Sequence, residues 1–115
     1  MSVFQVRTRT FGAHVGASTV AIHKADQKSY GVQLVSLFAA DVSGSASTLT
    51  VEFFDASEAT AYRLAFEAPI PANGAYALDL SGMALDRNDE IRLTAGAANS
   101  VDALLTVKEP EARSR

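Results

Sequence analysis

Carboxylates and serines are plentiful in this sequence and histidines few, but no spacing among them makes an acid–base, nucleophilic or metal motif. His14 and His23 are its two histidines, and neither has an aspartate or glutamate at a ligand-like spacing. A metal centre needs three or four converging ligands. Both are therefore read as surface histidines near turns or polar strand positions, and no metal site is expected. Cysteine is absent, which removes disulfides, thiolate ligands and a thiol nucleophile together. Asp86-Arg87-Asn88-Asp89-Glu90 has the oxygens of a calcium loop but lacks the glycine and the terminal glutamate of an EF-hand. It reads as a polar turn, with a weak calcium site in a β-sandwich loop as the alternative. Glu67 and Asp79 are carboxylates of the kind a glycosidase pairs, but nothing in their spacing brings them together and no tryptophan offers a sugar platform. Neither a Gly-x-Ser-x-Gly elbow nor a glycine-rich phosphate loop is present. No catalytic residue and no cofactor is expected, and the chain reads as a non-enzyme whose function lies in the surface it presents.

Charge narrows the partners. The net charge of −3 is unevenly spread. Arg7, Arg9, Lys24 and Lys28 against Asp26 make residues 1–30 net +3, whereas ten acids against Arg63, Arg87 and Arg92 make residues 31–107 net −7. A basic beginning on an acidic body suits an arm that docks on a neighbouring copy's acidic face; solvated strand faces are the plainer reading of any single charge. Arg7 and Arg9 alone are too few for a nucleic-acid groove, so no nucleic-acid partner is expected. The first residues lack a signal peptide's apolar region and no apolar run approaches a membrane span. No membrane partner is expected, and synthesis and folding are placed in the cytoplasm.

The elements that would carry these residues are strands. In Ser47–Asp55, Leu49, Val51 and Phe53 alternate with Thr48, Thr50 and Glu52, the period-two pattern of a strand with one buried face. Residues 3–11 alternate with half their positions polar, which predicts an edge strand or an N-terminal arm over 1–11. Thr19–Lys24 turns Val20 and Ile22 inward. Tyr30–Ala40 is the most apolar run and suits one long strand or a strand that bends at Val35–Ser36. Thr60–Glu67, with Tyr62, Leu64 and Phe66 on one parity, pairs back through a turn at Ala56–Ala59; a helix capped by Asp55 over Ala56–Ala65 is the rival. Two prolines and Asn73-Gly74 make a turn before Tyr76, Leu78 and Leu80. Met83–Glu90 is a loop whose Met83 and Leu85 tuck onto the core. Strands follow at Ile91–Ala95 and Val101–Val107, the latter with a helix capped by Ser100 as the weaker alternative. Residues 109–115 form a charged, frayed tail.

About eight strands, one every ten or so residues, predict an antiparallel β-sandwich or jelly-roll-like barrel. The 115 residues, 48% hydrophobic and 20% charged, suit a single domain.

From Tyr30 to Glu109 the chain resembles the small β-sandwich virion structural proteins of tailed bacteriophages, which decorate heads, necks or tails. The resemblance rests on the apolar strand Val32–Ala40 with its small-residue loop, Thr48–Phe53, and Ile70-Pro71-Ala72-Asn73-Gly74 before Tyr76-Ala77-Leu78-Asp79-Leu80. Leu85, Asn88-Asp89-Glu90-Ile91-Arg92-Leu93 and the closing Leu105-Thr106-Val107-Lys108-Glu109 complete it. The family commonly has Gly-Asp where Asn88-Asp89 stands here. The resemblance implies a virion location, no cofactor, a homo-oligomer such as a trimer, and the major capsid protein or other virion proteins as partners. The leading expectation is a capsid decoration or cement protein; a neck or tail component is the alternative, and a carbohydrate-binding β-sandwich using Tyr30, Tyr62 or Tyr76 is the alternative of another class. The assembly contacts would come from Val3, Phe4, Arg7, Arg9 and Phe11.

Overall fold

A computed structural model describes residues 4–26 and 31–112, with side chains for 6–26 and 31–109. Nine strands and no helix occur among these residues. One sheet has the order β1 (Phe4–Val15), β9 (Val101–Ala112), β3 (Val32–Asp41) and β6 (Ala75–Asp79), with the two-residue β7 (Ala84–Leu85) also on β3. The other has the order β2 (Val20–Lys24), β8 (Glu90–Ala95), β4 (Ser47–Asp55) and β5 (Thr60–Ile70). Every pairing is antiparallel. The chain is an antiparallel β-sandwich, as the alternation predicts.

The core lies between the sheets and is filled by the residues of inward parity. Leu34, Leu37 and Ala39 of β3 and Val101, Ala103, Leu105 and Val107 of β9 face Leu49 and Val51 of β4 and Ile91, Leu93 and Ala95 of β8. Leu85 is fully buried because β7 pairs its backbone with Val32 and Gln33. What reads as a loop in the sequence thus carries one more short strand. The bend in β3 is a bulge in which Val35 is the extra residue between the Leu34 and Ser36 pairings. At Asn88 the backbone has φ 66°, the left-handed conformation that glycine and asparagine tolerate best. Asn88 therefore takes at this turn a conformation for which glycine is the usual choice.

Two bulges in β5 change the expected faces. Leu64 is an extra residue between the pairings Val51↔Ala65 and Glu52↔Arg63, and a second register shift falls between Leu49↔Ala68 and Val51↔Ala65. There Glu67 has φ 49° and its N–H donates to Thr50 Oγ1 at 3.0 Å. A bulge turns the following side chains to the other face. Tyr62, in register with Phe53, and Phe66, beside Arg63, are of one parity in sequence but fall on opposite faces across the bulge; both are about half exposed. The tail also differs from expectation. β9 continues to Ala112, and residues 109–112 pair with residues 4–7 of β1, so the charged segment is strand where it is described.

Candidate functional site

β1 is the outermost strand of its sheet and hydrogen-bonds only to β9 among the described residues. β3 leaves β9 at the pairing Gln33↔Lys108, so residues 4–7 and 109–112 continue as a two-stranded ribbon. Four residues at strand rise carry that ribbon roughly 13 Å past β3, along a molecule 54 × 28 × 21 Å in extent.

The ribbon's base is fastened by a stack of side chains. Arg7 and Arg9 share the inward parity of Phe11, Ala13 and Val15, at the end where the second sheet no longer covers them. Glu109 Oε1 accepts from Arg9 Nη1 at 2.9 Å and Arg7 Nη2 at 3.4 Å. The Arg9 guanidinium lies 4.7 Å from the centre of the Phe11 ring, and that ring stacks on His23 with centroids 4.1 Å apart. His23 is not the surface histidine expected from the sequence. Ile22 is an extra residue between the pairings Ala21↔Arg92 and His23↔Ile91, and this bulge turns His23 inward. Burial pushes the imidazole below its ordinary pKa; Glu109 opposes that shift and Arg9 adds to it. Its Nε2 is buried without a hydrogen-bond partner among the described residues. His14 is a surface histidine, its Nδ1 2.7 Å from Asp102 Oδ1.

Of the expected assembly contacts, Arg7 and Arg9 stand together on the ribbon, whereas Phe11 packs on the core and His23. Phe4 begins β1 in register with Ala112, and Val3 lies outside the described residues. Glu109, which joins the two arginines, was not singled out by sequence. It is 100 residues from Arg9 in the chain, and only the β1–β9 register brings them together.

The aspartates serve the loops. Asp41 is buried at the end of β3. Its Oδ1 accepts from the Ser43 hydroxyl at 2.7 Å, the Ser47 hydroxyl at 2.8 Å and the Ser43 N–H at 3.1 Å, while Oδ2 accepts from the N–H groups of Asn73 at 2.8 Å and Gly44 at 3.2 Å. One carboxylate thus ties the loop after β3 to the turn after β5. The Ser43 hydroxyl, the Asn73 N–H and the Ser47 hydroxyl hold it well below the usual carboxylate range, against the effect of burial. Asp89, in the segment read as polar turn or weak calcium loop, points Oδ1 at the Ala56 N–H and Oδ2 at the Asp86 N–H, both at 2.9 Å. Both its oxygens hold loops, and the described residues contain no cluster of three metal-ligating side chains. The open depression beside it, about 590 Å³, is lined by Phe53, Asp55, Ser57, Ala84, Asp86, Arg87 and Asp89; Asp55 there accepts from the N–H and hydroxyl of Ser57.

Glu67 and Asp79 lie in different sheets, and Asp79 accepts from the N–H and hydroxyl of Ser81. Of the three tyrosines, Tyr76 packs on the core, Tyr62 is exposed with its hydroxyl 3.1 Å from Glu58 Oε1, and Tyr30 lies outside the described residues. The tyrosines do not form a shared stacking platform among the described residues.

No protein-family model and no curated protein matches the chain. A solved structure shares its fold. That chain, from the acidic stable capsid structure of Helicobacter pylori bacteriophage KHP30, aligns over 100% of both chains with a TM-score of 0.53 and 9% identity. A second chain, from the cyanophage Pam1 capsid asymmetric unit, aligns over 95% of this chain and 86% of its own at a TM-score of 0.34 and 14% identity.

Proposed function

We propose that this chain is a structural protein of a phage virion, a decoration or cement module that binds the assembled head through protein–protein contacts. The observation that carries this reading is the twelve-residue edge strand β1, open along one side among the described residues and prolonged with β9 into a projecting ribbon. An open edge of that length is a template for strand addition, and Arg7 and Arg9 beside it favour an acidic partner surface. The fold shared end to end with a chain of a phage capsid structure supports the same reading. So does the strand order, which we read as a jelly roll: the sheets β1-β9-β3-β6 and β2-β8-β4-β5 place the first and last long strands side by side, and that architecture recurs in viral capsid domains.

A module that binds only the assembled lattice stabilises it by mass action. Purified protein added to bare heads is expected to raise their resistance to heat. Heads that bind the protein yet melt unchanged would rule out the cement role. Copy number in purified particles separates head from neck or tail: decoration requires numbers comparable with those of the shell subunits.

A further inference from the structure

The two outer faces of the sandwich differ in a way solvent alone does not explain. On the four-stranded sheet, Arg63, Glu52 and Arg92 stand in register across three strands. Arg92 also lies 3.8 Å from the Phe54 ring centre and 2.9 Å from Glu90. Arg63 likewise lies 4.1 Å from the centre of the half-exposed Phe66 ring, so on this face a guanidinium covers both Phe54 and Phe66. On the five-stranded sheet, the register places Gly12, Leu104, Phe38 and Ala77 in one row across four strands. Leu104 is 48% exposed and Phe38 47%. The row on one side holds Thr10, Thr106, Ser36 and, on the edge strand β6, Asp79, so within these two rows charge stands only at the margin. A large uncharged centre with charge at its margins is the anatomy of an interface.

We infer that this face pairs with the same face of a second copy about a two-fold axis. Charge placement argues for a copy of this chain. Along the outward side of β9 the residues run Asp102, Leu104, Thr106, Lys108, an acid at one end and a base at the other. A two-fold axis lying in the interface and crossing β9 at Leu105 brings each Asp102 over the partner's Lys108, so one register makes the ion pair twice. The same rotation sets Leu104 over the partner's Thr106 and Phe38 over its Ser36, large residue against small. His14 holds the Asp102 carboxylate from its own copy at 2.7 Å. Gly12 lets Leu104 lie flat, since a Cβ at Gly12 would meet Leu104 Cδ2 at 3.3 Å. Four strands at sheet spacing and about four outward positions along them give roughly 500 Å² per copy, at the lower limit for a specific interface.

The pairing deepens the proposed function by naming the face through which copies join, and its test is independent of heads. Sedimentation velocity of the full chain is expected to show a species of twice 12.1 kDa. Leu104→Ser or Phe38→Ser should weaken it about tenfold or more, as loss of a central contact does. Lys108→Asp, at an exposed site that leaves the core intact, should give monomer by setting like charges together, and adding Asp102→Lys should restore the dimer. A monomeric wild type at high concentration overturns the inference. So does a double charge reversal that stays monomeric with an unchanged circular dichroism spectrum. A monomeric wild type whose head binding is lost on Leu104→Ser would give the face to the shell instead. Dimers that leave heads unstabilised would uphold the pairing and end the cement role.

Discussion

His23 and Asp41 show how single groups set the chain's response to acid, in two separate pH windows. The folded-state pKa of His23 lies below 6.5, so the unfolded chain takes up this proton first. Its contribution to stability therefore falls as pH drops below about 6.5, until the folded imidazole also protonates. His23→Phe should abolish that loss. By removing an unpaired buried nitrogen beside Phe11, it should also raise stability at neutral pH by ~1 kcal/mol. Urea midpoints of both proteins at about pH 7.5 and about pH 5.5 check this; equal shifts in the two would refute it. Asp41 has the opposite proton affinity, a folded-state pKa below its ordinary 3.8, and its stabilisation is complete above that value and lost as pH falls below it. Asp41→Ala should lower the melting temperature and free both loops for proteolysis, whereas Asp79→Ala, which frees only the Ser81 turn, should do less. The sequence shows both residues plainly but not their roles, because one depends on a bulge and the other on loops 32 residues apart.

Among the elements, β9 and the turn before β8 make the sharpest contrasts. Leu105 is fully buried and its chain neighbour Leu104 is half exposed, as strict alternation requires. Leu105→Ala should cost about 2–5 kcal/mol, and Leu104→Ala less than ~1 kcal/mol in the monomer; chemical denaturation distinguishes them. At Asn88, Asn88→Gly should be nearly neutral while Asn88→Val should cost about 1–2 kcal/mol, since a branched side chain resists positive φ. Equal melting temperatures for the two variants would show that the turn does not need this conformation. The alternation in β4, β8 and β9 as far as Val107 was legible; the bend in β3 was one of two open readings, and the strand beyond Val107 read as a frayed tail. β5 was not: its bulges are settled by how it pairs with β4, and the parity of Tyr62 and Phe66 reads the same in sequence with or without them.

For the whole molecule, the proposed function rests on surfaces. Arg7→Ala with Arg9→Ala should change stability by no more than ~1 kcal/mol, because the ion pairs to Glu109 are partly solvated. The same variant should lower binding to heads, and added salt should weaken the wild type in the same direction. Co-sedimentation with heads measures both effects; binding that is unchanged by either would move the contact away from the ribbon.

By itself the sequence determined that the chain is antiparallel β, a sandwich or jelly-roll-like barrel, and which aliphatic side chains of β4, β8 and β9 face inward, because alternation is local and each strand carries its own record of its buried face. Tertiary structure alone decided the sheet order, the inward turn of His23, the meeting of Arg9 with Glu109 and the uncharged row across the five-stranded sheet. Each of these depends on the register between strands distant in the chain, and register is a property of the pair rather than of either strand.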